Sequence, residues 1–319
     1  MKKLIFILFF AILLSGCIKQ KPETTTTTTI QLTTTVTTIQ TATTVKPTSK
    51  LLSWTKEEGT RIDDGVSSCT IIKDNEYWIY YTAKGIELAT STDGLQFTKK
   101  GTVLDVKDVS GVDMVTNPAV FKTNDGKYRM IFEGSRRVDG QQTDRKLYSA
   151  ISSDGLTWKT EEGIRFQDEG DKPGEMFTSV PDIIRLDDGR LRMYYTRGLT
   201  SAIAISNDDG ITWTKEKNLG LGNMALDPDI IRLDDGTYKL FYTRFDSQFG
   251  VGEQYIMSAN SVDGVNFVVD EGKRIRPSSG NTVIVDPDII KLPDGKYRMY
   301  YGEADNNMMF NINSAISTG

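Results

Sequence analysis

Residues 52–62 read LSWTKEEGTRI, and residues 156–166 read LTWKTEEGIRF; six of the eleven positions are identical. The first copy follows a threonine-rich tract and opens the part of the chain with globular composition. The second lies in the middle of the chain. Aligning the remaining sequence on itself explains the duplication. Four segments, TNPAVFKTNDGKYRMIFEG, SVPDIIRLDDGRLRMYYTR, LDPDIIRLDDGTYKLFYTR and VDPDIIKLPDGKYRMYYGE, begin at Thr116, Ser179, Leu226 and Val285. A degenerate fifth, SSCTIIKDNEYWIYYTAK, begins at Ser67. Each is an apolar run, a turn with Asp-Gly or Asp-Asn, and an alternating aromatic run, which is the signature of a β-hairpin.

A second unit follows each hairpin: ELATSTDGLQF, YSAISSDGLTW, IAISNDDGITW and SANSVDGVNF. It adds a small-residue strand, another Asp-Gly turn, and a strand entered through Phe97, Trp158, Trp213 or Phe267. Four strands per repeat of about 50–60 residues is the pattern of a β-propeller blade, and no segment carries helical periodicity. The fifth repeat ends at NSAISTG, before its fourth strand. LSWTKEEGTRI is that strand, with Trp54 in the place of Trp158. The reading is an all-β, five-bladed propeller over residues 51–319, four strands per blade, whose last blade is completed by the N-terminal strand. Closing the ring in this way removes free sheet edges.

The N-terminus reads MKKLIFILFFAILLSGC. Two lysines precede an apolar run of signal-peptide length, and Leu14-Ser15-Gly16-Cys17 resembles the lipobox of prokaryotic lipoproteins. That resemblance implies lipidation at Cys17, a signal peptide over 1–17 and a cell-surface, extracytoplasmic protein held to the membrane by a lipid anchor. A plain signal peptide or an uncleaved anchor is the alternative. Residues 18–50 read as a disordered spacer, because fifteen threonines between 24 and 48 leave little apolar surface to bury.

The 319 residues carry a formal net charge of −5 and no histidine. Mild acidity without a basic patch argues against nucleic acid as a partner. The lack of histidine removes Ser-His and Cys-His nucleophiles and the commonest zinc ligand. Cys69 lies in an apolar strand pattern and reads as a small buried residue rather than a nucleophile. No cofactor is expected.

The five blades, the inner strands opening with Asp-Pro and the late Ser-x-Asp-Gly-x-x-Trp together resemble the arabinanase/levansucrase/invertase superfamily of five-bladed glycosidases, over roughly residues 51–319. The segment SNDDGITW also fits the Asp-box of sialidases, whose Asp and Gly serve turn geometry. The resemblance implies a carbohydrate ligand at the channel mouth. Its catalytic aspartate opens the first inner strand, where Ser68 stands here, with Asp63 and Asp64 upstream. Asn117 and Val180 occupy two further acidic positions, while Asp227 and Asp286 keep the acid.

Three sets of residues converge on one mouth in such a fold. Ser68, Asn117, Val180, Asp227 and Asp286 open the inner strands. Lys84, Glu133, Arg197, Arg244 and Glu303 end the second strands, followed by Arg136. Asp64, Asp113, Glu175 and Asn223 precede the inner strands. Glycoside hydrolysis needs one protonated and one ionised carboxyl, and crowded carboxylates raise one pKa. Glu175 is the expected general acid, Asp113 or Asp227 the base or nucleophile, and Asp286 the modulator of pKa. Asp64, Asn117, Glu133, Arg136, Arg197, Arg244 and Glu303 are the expected substrate-binding groups. Asp182, Asp229 and Asp288 recur deeper in the channel and suggest hydrogen bonds between neighbouring blades, with a central cation as the alternative. A glycosidase-like enzyme and a non-catalytic glycan- or protein-binding module both remain open.

Overall fold

The computed structural model describes residues 52–168, 178–222, 224–246, 252–281, 283–305 and 307–318. Twenty strands among them form five four-stranded antiparallel sheets. Strand β1 (Ser53–Lys56) stands first in the chain. Blade 1 is β2 (Val66–Lys73), β3 (Glu76–Thr82), β4 (Ile86–Ser91) and β5 (Thr98–Leu104). Blade 2 is β6 (Met114–Lys122), β7 (Tyr128–Val138), β8 (Gln141–Ser152) and β9 (Lys159–Thr160). Blade 3 is β10 (Thr178–Arg185), β11 (Leu191–Arg197), β12 (Thr200–Ser206) and β13 (Thr214–Asn218). Blade 4 is β14 (Ala225–Arg232), β15 (Tyr238–Phe245), β16 (Gln254–Ser261) and β17 (Val268–Val269). Blade 5 is β18 (Val283–Lys291), β19 (Tyr297–Ala304), β20 (Phe310–Thr318) and β1, which pairs antiparallel with β20 from Ser53↔Thr318 to Lys56↔Ala315. The duplicated stretch is thus the outer strand of blade 5. The one helical segment among the described residues is the three-residue 3₁₀ turn Val106–Asp108.

Turn chemistry fixes the hairpins. Lys73 pairs with Glu76 around Asp74-Asn75, whose φ angles of 53° and 62° are those of a type I′ turn. At the outer turns the aspartate caps the loop. Asp93 Oδ1 accepts from Leu95 N and Gln96 N at 2.8 and 2.9 Å, and Asp154 and Asp263 repeat the pattern. These carboxyls are held at about 2. The Asp-Gly pairs are turn devices, as the sequence suggests.

The same turns join blades. Tyr80 Oη donates to Gly155 O, Tyr194 Oη to Gly264 O and Tyr300 Oη to Gly94 O, at 2.7–2.9 Å. Each second-strand tyrosine thereby fastens its blade to the outer turn of the next. Blade 2 holds Ile131 at this position, and blade 4, whose neighbour has no outer turn joining β20 to β1, holds Phe241. Trp54 of β1 packs edge-on against it, with ring centroids 5.5 Å apart. Within blades 2 to 5 a buried ion pair ties second strand to fourth: Arg129–Glu161, Arg192–Glu216, Lys239–Asp270 and Arg298–Glu57, at 2.7–3.0 Å. Glu57 belongs to the repeated stretch, which accounts for the identity of Glu57 and Glu161. Arg61 and Arg165 close the turn after it by donating to the Glu58 and Glu162 carbonyls.

Candidate functional site

Every inner strand enters the channel through a bulge. The ladder register slips once between first and second strands in all five blades. At each slip one residue has positive φ: Ser67 (52°), Asn117 (54°), Val180 (43°), Asp227 (51°) and Asp286 (52°). This corrects the sequence register in blade 1, where Ser67, not Ser68, stands in the ring of strand-opening residues. The bulge adds a residue that counting from the apolar run does not register.

The ring is sewn together between blades. The backbone N–H of Asn117 donates to Thr82 Oγ1 (2.8 Å), that of Asp227 to Thr196 Oγ1 (2.7 Å), and that of Asp286 to Thr243 Oγ1 (3.2 Å). The cross-strand pairs Thr116↔Glu133, Ser179↔Thr196 and Val285↔Gly302 show that blade 2 has Glu133 where blades 1, 3 and 4 have this threonine.

Glu133 is fully buried. Its Oε2 accepts from Asn117 Nδ2 (2.9 Å) and from Ser179 Oγ; its Oε1 accepts from Gln142 Nε2 (2.5 Å) and lies 3.7 Å from Arg145 Nε. Across the mouth, Asp286 is buried and Asp227 is partly open. Ser67 Oγ donates to Asp286 Oδ2 at 2.5 Å. The two aspartates open neighbouring inner strands and interact electrostatically, so that they titrate as a pair. Burial, against bonds from Thr243 and Thr196, pushes Asp227 up to about 6. Burial and the neighbouring Asp227 charge push Asp286 well above the usual carboxylate range. The floor of the mouth therefore carries two aspartates with raised pKa values and a glutamate–arginine pair, an arrangement suited to moving a proton to or from a bound group.

Below this floor, a cavity of about 20 Å³ on the axis is lined by Cys69, Asp182, Asp229, Asp286 and Asp288 among others, with room for one water-sized group. Asp182 accepts from Ile230 N (2.8 Å), Asp229 from Ile289 N (3.3 Å), and Asp288 from Thr70 N (3.2 Å) and Oγ1 (2.6 Å). These are the blade-to-blade bonds read from the repeat. Cys69 fills the same place in blade 1, its Sγ accepting from Val120 N at 3.2 Å. Burial and the surrounding aspartates push the thiol well above its ordinary value, so it is no nucleophile.

The structure brings together Asn117, Glu133, Asp227 and Asp286 of the expected set. Others go elsewhere. Asp113 is exposed at the foot of the β7–β8 hairpin, accepting from Arg137 N at 2.8 Å, outside the buried cluster. Arg136 is exposed on that hairpin. Asp64 is exposed in a turn, its N–H donating to Asn311 Oδ1 at 3.1 Å. Arg197, Arg244 and Glu303 follow the Thr196/Thr243/Gly302 position by one residue, and strand alternation turns them to the other face. Arg197 Nε binds Asp168 (2.8 Å), and Arg244 reaches Leu221 O (3.3 Å). Glu303 accepts from Lys56 and from Ser278 N beside an open groove of about 310 Å³ on blade 5. Glu175, Asn223 and Cys17 lie outside the described residues. Arg145 and Gln142 were not legible as site residues, since they belong to a hairpin extension without counterpart in the repeat.

Fold and floor together define a five-bladed propeller of the glycosidase type. Residues 48–224, more than half of the chain, match the glycosyl hydrolases family 32 N-terminal domain, and the chain belongs to that family. No curated protein matches it significantly. Among solved structures, a thermostable family-43 glycoside hydrolase is 17% identical over 82% of this chain and 91% of its own, with a TM-score of 0.64. A GH43_1 enzyme from Xanthomonas citri, complexed with xylotriose, is 14% identical over 81% and 88%, with a TM-score of 0.60. An endo-1,4-β-xylanase from Bacteroides thetaiotaomicron VPI-5482 is 15% identical over 82% and 92%, with a TM-score of 0.59. At these identities the likeness is one of fold.

Proposed function

We propose that the protein is a cell-surface glycoside hydrolase, acting on an extracellular carbohydrate and held to the membrane through a lipidated Cys17. The observation that carries the catalytic part is Asp227: a partly exposed strand-opening aspartate whose pKa burial raises to about 6, with the buried Asp286 opening the neighbouring inner strand. In this reading Asp227 is the base or nucleophile and Asp286 tunes it. Glu175, in the sequence just ahead of β10, is the general acid. Asn117 and Val180 form the floor against which the sugar rests, and buried Glu133 holds the Asn117 amide in place. Family membership supports the carbohydrate, and the lipobox-like Leu14-Ser15-Gly16-Cys17 supports the anchor.

The test is release of sugars from a panel of polysaccharides and oligosaccharides by the full-length protein. Asp227→Asn and Glu175→Gln should each lower the rate by about 10²-fold or more. Undiminished turnover in Asp227→Asn refutes the assignment. For the anchor, Cys17→Ser should move the protein out of the membrane fraction; unchanged fractionation refutes it.

One observation favours a second reading, a glycan-binding module without turnover. Ser67 stands where the superfamily's first-blade aspartate is expected, and Glu133 is sealed by four partners. Saturable glycan binding with no product from any substrate would establish that reading instead.

A further inference from the structure

Blades 3 and 5 repeat one junction and fill it differently. In blade 3, Tyr195 and Arg197 flank Thr196 on β11 and turn away from the channel, and Lys215 precedes the ion-paired Glu216 on β13. All three meet one carboxylate. Asp168 Oδ2 accepts from Tyr195 Oη (2.7 Å) and Arg197 Nε (2.8 Å), and Lys215 Nζ lies 3.0 Å away. Asp168 stands two residues past Phe166, which bridges Leu147 of blade 2 and packs edge-on against Tyr195. The chain thus plugs the junction of blades 2 and 3 with its own acid.

In blade 5 the matching positions are Tyr301, Glu303 and Lys56, with Glu57 as the ion-paired partner of Arg298. Tyr301 packs with Ile256 and Ile275 at the blade 4 side. The bridge Ile256↔Ile275 corresponds to Leu147↔Phe166, so the residue two further on is Pro277. Two changes go together: the plug has lost its carboxylate, and the arginine that would hold it has become Glu303. The junction of blades 4 and 5 is left as the open groove of about 310 Å³, lined by Lys56, Thr60, Ser278, Tyr301, Glu303 and Asn313 among others. That volume falls within the range of about 300–1,000 Å³ for small-molecule sites.

The lining states what would fit. Blade 3 selects an anion with two cations; here the second cation is replaced by an acid. Glu303 offsets the charge of Lys56 at 3.3 Å and is itself held by Ser278 N and the Asn281 and Asn313 amides. A neutral ligand is therefore favoured. Tyr301 is only 1% exposed, and its hydroxyl, unlike that of Tyr195, makes no hydrogen bond among the described residues. A buried hydroxyl on the wall of a groove lacks the partner that a bound acceptor would supply. Hydroxyl, amide, carboxylate and ammonium groups facing one groove match a ligand whose groups both donate and accept, which is the chemistry of sugar hydroxyls.

We propose that the groove between blades 4 and 5 is a second glycan-binding site, taking a neutral oligosaccharide segment with one hydroxyl accepting from Tyr301 Oη. It lies on strand faces turned away from the channel, so it holds a polysaccharide on the protein independently of the mouth. The choice of a glycan among polyols rests on the carbohydrate reading above.

The experiment is affinity electrophoresis of the full-length protein in gels containing arabinan, levan or xylan, with Asp227→Asn as the background so that nothing is cleaved. At least one of these neutral polysaccharides should retard the protein. Thr60→Trp, at an exposed position on the rim, fills the groove and should remove the retardation. Tyr301→Phe deletes only the hydroxyl and should weaken binding about fivefold, the scale of one hydrogen bond. Retardation that survives both substitutions overturns the proposal, as does its absence with all three polysaccharides. Retardation by polygalacturonate alone overturns the neutral assignment. Sugar release by the wild type tests the mouth separately: its absence sinks the hydrolase reading and leaves the groove result standing.

Discussion

Replacing Asp182 with asparagine isolates the electrostatic consequence of the axial aspartates. Asp182 accepts hydrogen bonds from Ile183 N and Ile230 N, both 2.8 Å. Burial, with the Asp288 charge, lifts its pKa from the ordinary 3.8 to about 6. An acid whose pKa is raised by folding binds its proton more tightly in the folded state. Its contribution is fully present below 3.8 and is lost as the pH rises through about 6. A separation of roughly two pH units at about 1.4 kcal/mol each gives about 3 kcal/mol. The asparagine side chain cannot titrate and surrenders roughly one backbone hydrogen bond, about 1 kcal/mol at any pH. Near pH 4, where the unfolded carboxyl is already about half ionised, the wild type should still be the more stable, by about 0.5 kcal/mol. At pH 7 Asp182→Asn should lead by about 2 kcal/mol. For a domain of this size 1 kcal/mol corresponds to about 2–4 °C in Tm. Thermal unfolding followed by circular dichroism at pH 4 to 7 would show the two curves crossing. The turn aspartates titrate in both proteins and cancel in the difference. A wild-type-minus-variant gap that stays constant across this range refutes the reasoning.

Two further outcomes follow from geometry alone. Trp54→Ala removes the indole that covers Phe241 at one of the two blade junctions lacking a tyrosine fastener. Because Trp54 is only half-buried, a loss of about 2–3 kcal/mol is expected, below that of a fully buried tryptophan; denaturant unfolding with no change would show that β1 does not hold the ring. Val180 is β-branched yet sits at φ 43°, where its four counterparts are Ser, Asn, Asp and Asp. Val180→Asn should raise stability by about 1 kcal/mol through relief of that strain, and a lowered Tm would mean that the valine's packing outweighs it.

The architecture was readable because each blade restates the same hairpin, and the split blade was readable because Trp54, Glu57 and Arg61 repeat Trp158, Glu161 and Arg165. The site was harder. The strand-end pattern groups Glu133 with Arg197, Arg244 and Glu303, which stand one repeat position further on and face the opposite way. Aligning from the Asp-Gly turn instead shows Glu133 in a column of threonines, and that departure from the repeat is the signal that marks it. Ser67 was missed in favour of Ser68 because a bulge changes register without changing composition. Arg145 is not legible because it stands at a bulge in strands longer than their counterparts, and a self-alignment is silent where the repeats differ. Asp113 lies just before the paired strands, where repeat position does not fix direction, and its side chain accepts from Arg137 N on the β7–β8 hairpin.

The pairing of Ser53 with Thr318 puts the first and last described strands side by side. Topologically the molecule is a circle cut once, and the cut falls between the third and fourth strands of a blade, where an Asp-Gly turn stands in the other four. A short linker across the seam would restore that turn's place, and the chain could then be opened at the equivalent turn of another blade. Such a permuted protein would keep every ladder and both aspartate rings. Only the fastening would change: opening the outer turn of blade 1, 2 or 4 would remove the tyrosine bond made to it, and the old seam would gain none, because Phe241 has no hydroxyl.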